Sequence, residues 1–331
     1  MLYRLIRTNR VVSYILLPIL AAGIWNTQLI PPTGFSFYEG ENQMFLFKPL
    51  FLLLDGWAFA SIVSGFILLI LTAILIQRVN VEYGFFRTKT LLPGIIFILV
   101  TGGFHEMHNF HPVYIAIIFL LVAIYKIFSA FDQRKPYREI FDACFLLGLG
   151  SLFYLNLLAL LPAFIVGGSI LGRETSWREI MVSIIGFITP WLFVITWFFL
   201  FDGIPDMISL LKDNILTTND RIIGNIPVMV FLGFLILLTL AGSYLIMVQY
   251  NEKKISIRQY FLVLFLIFAS SILSMILVPA ASIEALLVAA IPVTFLLSNL
   301  LLSFKRAIWG EIIIYLLIGF NVVLKFISQQ P

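Results

Sequence analysis

Apolar stretches close to the length of a bilayer crossing, separated by short charged connections, divide this chain almost from end to end. They fall near residues 11–30, 57–77, 91–104, 111–128, 139–155, 157–171, 180–201, 226–250, 259–279, 283–303 and 308–328. A helix needs roughly 20 apolar residues to cross the hydrocarbon layer, and only helices and closed barrels satisfy their own backbone there. Only 11% of the residues are charged, against about 25% in a soluble domain, so the chain cannot clothe itself for water. The expected fold is all-α: a polytopic α-helical membrane protein with about eleven transmembrane helices, forming a single transmembrane domain over 1–331. Segments 91–104 and 157–171 are short for a full crossing, and are expected to be tilted, broken or sheltered by protein.

Counting Lys and Arg in alternate connections orients the chain. The side that starts with the N-terminus holds 17 of the 21, leaving Lys48, Lys212, Arg221 and Lys325 for the other. Removing or adding a helix would scramble that division, so it supports both the orientation and the number. The N-terminus is expected in the cytoplasm and the C-terminus outside. The first segment follows Arg4, Arg7 and Arg10 but is longer than a signal-peptide core and lacks a small-residue cleavage site, so it reads as a retained helix. The net charge of +4 does not point to nucleic acid, because the cations sit in short loops. Cys144, the single cysteine, lies within an apolar run and reads as a small buried residue.

The acidic residues lean the other way: Glu39, Glu41, Asp55, Glu106, Asp202, Asp206, Asp213, Asp220 and Glu284 fall on or near the outer face. Three outer segments carry them. Pro31–Asp55 is polar, then apolar for about ten residues, too short to span and suited to a re-entrant or interfacial piece. Gly102–Pro112 (GGFHEMHNFHP) holds all three histidines, His105, His108 and His111, with Glu106 and Asn109. Asp202–Asn225 contains IPDMISLLKDNI, whose spacing fits an amphipathic helix on the surface.

Each candidate has a functional and a bland reading. The histidine spacing could place ligands on one side of a helical turn, yet Gly102, Gly103 and Pro112 favour an irregular loop; a solvated interfacial loop is the expectation, with head-group recognition the functional alternative and no metal assigned. Glu39, Glu41 and Asp55 can act as a general base or hold a divalent cation, or stand as solvated loop charges. Asp55 follows the apolar run Leu50–Leu54, where an ionisable group is expensive, and Lys48 could pair with it. Arg221, helped by Lys212, could grip a lipid-linked phosphate in its fork, or rest against lipid phosphates. Asp142 and Glu311 read as helix-dipole partners. No Walker loop, dinucleotide fingerprint or nucleophile elbow appears, which argues against a pump ATPase or a soluble-type oxidoreductase.

The stretch HPVYIAIIFLLVAIYKIFSAFDQRKPYREIFDACFLLGLGSLFYLNLLALLPAFIVG (111–167), with WREIMVSIIGFITPWLFVITWFF (177–199), resembles an uncharacterised family of polytopic inner-membrane proteins from Bacteroidota. More remotely it looks like GT-C glycosyltransferases, which use polyprenyl-phosphate-linked sugars and place a basic cytoplasmic linker before a G-x-x-x-G-type helix and a short following helix. FLLGLGSLFYLNLLALLPAF occupies that place here. That resemblance implies a GT-C-like helical module over 1–201, followed by an outer loop (202–225) and C-terminal transmembrane helices (226–331). It implies a catalytic carboxylate in the first outer loop, at Glu39, Glu41 or Asp55, and a second acidic position at Glu106. The first outer loop is shorter than in that family and no D-x-D pair is present.

The leading expectation is therefore a GT-C-like transferase of the bacterial inner membrane using a polyprenyl-phosphate-linked donor at the outer face, with membrane lipids as surroundings. The alternative is a non-enzymatic subunit of a protein-export or cell-envelope assembly with other membrane subunits as partners. A transporter ranks third, because the segments hold almost no mid-membrane ionisable residues.

Overall fold

The computed structural model describes residues 10–29, 37, 42–54, 56–86, 90–104, 107–173, 176–217, 226–280 and 283–327. Among these residues there is no strand. The helices are α1 (Arg10–Leu29), α2 (Phe47–Leu54), α3 (Ala58–Tyr83), α4 (Leu92–Thr101), α5 (Pro112–Phe128), α6 (Tyr137–Ser151), α7 (Leu161–Leu171), α8 (Trp177–Leu200), α9 (Ile204–Leu216), α10 (Ile226–Val248), α11 (Ile255–Leu277), α12 (Ile283–Ser303) and α13 (Ala307–Ile327), with a 3₁₀ turn at Leu155–Leu160 before α7.

Local chemistry sets several of these boundaries. Proline stands in the first turn of α4, α5, α7 and α9, where its missing N–H costs nothing. Ser176 caps α8 by accepting from the Arg178 N–H. Gly84 ends α3 at φ 60°, the left-handed conformation glycine takes without steric cost, and there the chain turns toward Phe85.

Burial then sorts the helices. Every residue of α4 is buried, as is most of α12. α1, α3, α12 and α13 surround α4; α5 lies between α3 and α6; α6 pairs with α8; α7 packs on α11; and α10 and α11 flank α12. Small residues let backbones approach at the tightest crossings, as is usual between membrane helices. A Cβ on Gly148 of α6 would meet the Phe187 carbonyl oxygen of α8 at 2.5 Å, and one on Gly186 of α8 would meet the Phe141 carbonyl oxygen of α6 at 2.8 Å.

Among the described residues six helices, α3, α8, α10, α11, α12 and α13, are long and apolar enough to cross a membrane. Their outer sides stay apolar: Phe193, Trp197 and Phe199 of α8 are all more than 60% exposed. Such a surface suits hydrocarbon and not water, and the protein is a membrane-embedded helical bundle. Of the shorter apolar helices, α4 and most of α5 are buried, while Ile15 and Ile19 of α1 are exposed.

The pattern of segments needs several corrections. The segment at 57–77 continues to Tyr83, six residues further. The one at 139–155 stops at Ser151, and 157–171 is a 3₁₀ turn joined to α7. The short stretch 91–104, by contrast, is sheltered by protein as expected, every residue of it being buried. Asp142 lies in the second turn of its helix and pairs with Lys126 of α5 at 3.0 Å, so a cation across the interface, not the dipole of α6, is its partner. Glu284, placed on the outer face from the sequence, is buried in the first turn of α12.

Candidate functional site

α4 is about 15 Å long at 1.5 Å per residue, half the hydrocarbon thickness. The described residues that follow it, 102–104 and 107–111, are buried in protein. Buried non-helical backbone needs hydrogen-bond partners, and several are supplied from within the protein. The Phe104 N–H donates to the Thr101 carbonyl, Met107 to Phe104, and Asn109 to Met107. The Tyr114 hydroxyl donates to the Met107 carbonyl at 2.8 Å. Asn109 Oδ1 accepts from the Phe110 N–H and from Ser61 Oγ of α3, each at 2.8 Å. Gly65 of α3 makes room for this loop, since a Cβ there would stand 2.5 Å from the Asn109 carbonyl oxygen.

The two histidines within the described part of this loop are buried, at 1% and 0% exposure for His108 and His111. His108 stacks on Trp25 of α1 with ring centres 4.8 Å apart, and Trp25 also meets Phe66 and Tyr114. His111 caps α5: its Nδ1 accepts from the Val113 N–H at 3.2 Å, a bond that requires a lone pair on that nitrogen. Phe37 stacks over the His111 ring at 5.8 Å and meets Phe47 and Phe51 of α2. Phe47 in turn lies 5.1 Å from Phe110. The expectation of a solvated loop is thus wrong for His108 and His111. Aromatic side chains from α1, α2, α3 and α5 close over it, and imidazoles held out of water in a membrane protein are functional candidates by default.

The segment before α2 also reaches the α6–α8 pair. The Phe45 ring packs edge-on against Trp191 and Phe198 of α8. The Leu46 N–H donates to the Leu152 carbonyl, and Trp191 Nε1 donates to Ser151 Oγ at 2.8 Å. At the same end of the bundle Asn321 of α13 donates to the Leu99 carbonyl of α4 at 2.8 Å, and Lys325 Nζ reaches Asn26 Oδ1 of α1.

Of the residues singled out from the sequence, Glu39, Glu41, Asp55, His105, Glu106 and Arg221 lie outside the described residues. His108 and His111 come together with Phe37 and α2 as above. Lys212 is exposed on α9, a helix that packs on α8. Among the described residues no three His, Cys, Asp or Glu side chains cluster as a metal ion would require. Trp25, Phe37, Ser61 and Tyr114 were not marked by the sequence as part of this site; Trp25, Ser61 and Tyr114 are single aromatic or hydroxyl residues in apolar runs, Phe37 lies in a polar stretch, and no spacing signals which loop they cover.

No curated protein and no solved structure matches this chain. The model of a family of unknown function (DUF6427) matches residues 42–329. That match takes in α2 to α13 and the whole histidine loop, and the chain belongs to this family of unknown function.

Proposed function

We propose that this protein is a GT-C-like transferase of a bacterial inner membrane, acting on a polyprenyl-phosphate-linked donor at the outer face. In this reading the shorter helices complete about eleven crossings, with the N-terminus inside and the C-terminus outside. The observation that carries it is the stacking of Phe37 on His111 at 5.8 Å. Phe37 lies two residues before Glu39, and α2 leads directly into Asp55, so the contact ties the first outer segment to the loop that carries His105 and Glu106. In this reading carboxylates of the two outer segments act alongside the imidazoles, which suits a general base acting on an acceptor hydroxyl. Glu41 or Asp55 takes that role, Glu39 and Glu106 support it, and Arg221 with Lys212 grips the donor phosphate. A divalent cation between the carboxylates and the phosphate is compatible with that donor set.

The test is complementation of a deletion strain by Glu41→Ala, Asp55→Ala and Glu106→Ala, with abundance followed by immunoblot. At least one variant is expected to abolish function at normal abundance. Full complementation by all three removes the enzyme reading, and a stoichiometric partner co-purifying in mild detergent then favours the subunit.

A further inference from the structure

At the other end of α3 from His108 and His111, a cavity of about 610 Å³ opens between the ends of α3, α10, α11 and α12. Its wall begins at the Gly84 turn, where Phe85 packs into Phe261 and Phe295. The polar lining comes from Gln249, Glu252, Lys253, Lys254, Asn299 and Ser303.

The hydrogen bonds fix the polarity of this lining. Asn299 is 4% exposed, and its Oδ1 accepts from Lys253 Nζ at 2.7 Å. An ammonium only donates, so the amide orientation is settled, and Nδ2 is left as a donor. That donor has no hydrogen-bond partner among the described residues. A buried amide N–H without a partner is costly, and Asn299 lines the cavity beside two lysines, with Glu252 the one carboxylate among the described lining residues. The surrounding surface is suited to acyl chains: Met247, Val248 and Ile255, at the adjoining ends of α10 and α11, are all more than 60% exposed. Phe85, Phe86, Ile257 and Leu302 line the cavity itself.

The geometry points to a phosphate-binding site here, formed by Asn299, Lys253 and Lys254, that takes the head group of an anionic membrane lipid. It is independent of the outer-face reading, because it uses none of the same residues. Charge-assisted hydrogen bonds from an amide and an ammonium recognise phosphate oxygens, while the apolar flank accommodates the lipid's hydrocarbon. Anionic lipid in the adjoining leaflet also matches the lysines and arginines that crowd this side of the sequence map.

Purified full-length protein, delipidated in neutral detergent, can be titrated with phosphatidylglycerol, phosphatidylcholine and inorganic pyrophosphate, with bound ligand read by native mass spectrometry. One phosphatidylglycerol is expected to be retained in preference to phosphatidylcholine. Asn299→Asp keeps an acceptor for Lys253 but sets a carboxylate in place of the donor, and it should weaken retention by about tenfold or more. Lys253→Met should do the same, while Lys135→Met, an exposed cation outside the lining, leaves retention unchanged. Competition by pyrophosphate at matched concentration supports the phosphate site and assigns its source to solution. Equal retention of phosphatidylcholine, or equal loss in Lys135→Met, overturns the proposal.

Discussion

Glycine shows how far a single residue's meaning depends on what lies opposite. Gly65 sits where α3 meets the backbone of the histidine loop, and Gly233 of α10 has nothing within 4 Å of its missing Cβ. Gly65→Ala is expected to cost about 1–3 kcal/mol, because the neighbour is backbone and cannot swing away. Gly233→Ala is expected to be neutral or to stabilise, since alanine is the better helix former. Thermal unfolding in detergent compares them, and equal effects would contradict the packing described here. Both glycines look alike in the sequence. The same holds for His108 and His111: a polar loop bounded by glycine and proline reads as solvated, and only the arrival of Trp25 and Phe37 from distant segments reveals the burial.

At the scale of elements, most of the helices were legible because a bilayer demands long apolar runs. The segment at 283–303 coincides with α12. What the runs could not reveal is which helix is surrounded by protein and which by lipid, since both environments are apolar and select the same residues. α12 is buried while α8 is largely exposed, at similar hydrophobicity. The separation of α6 from α7 was legible as two segments, but its position was not, because α6 already stops at Ser151 and Leu155–Leu160 forms a largely apolar 3₁₀ turn. The ion pair between α5 and α6 is a surface feature, with both side chains about one-third exposed. A double-mutant cycle of Lys126→Gln and Asp142→Asn is therefore expected to give a coupling below about 1 kcal/mol. A coupling of several kcal/mol would mean that the pair is shielded from water, and the end of α5 would have to be placed deeper in the bundle.

The whole molecule divides its chemistry between two ends. One holds the histidine loop, roofed by α2 and tied to α1, α3 and α13; the other holds the cavity between α3, α10, α11 and α12. The first end was marked in the sequence by its histidines and acids, although the aromatic cover over His108 and His111 was not readable. The second was not marked at all: Asn299 is one polar residue in the last turns of an apolar helix, and its pairing with Lys253 is a contact across 46 positions. Which end faces which compartment rests on the distribution of cations, and this can be measured directly. In a Cys144→Ala background, Lys212→Cys on α9 and Lys254→Cys at the start of α11 each provide one exposed thiol, and a membrane-impermeant maleimide is applied to spheroplasts before and after permeabilisation. The expected result is labelling at position 212 in intact spheroplasts and at position 254 only after permeabilisation. Labelling at 254 with protection at 212 would invert the map and remove the proposed outer-face site with it.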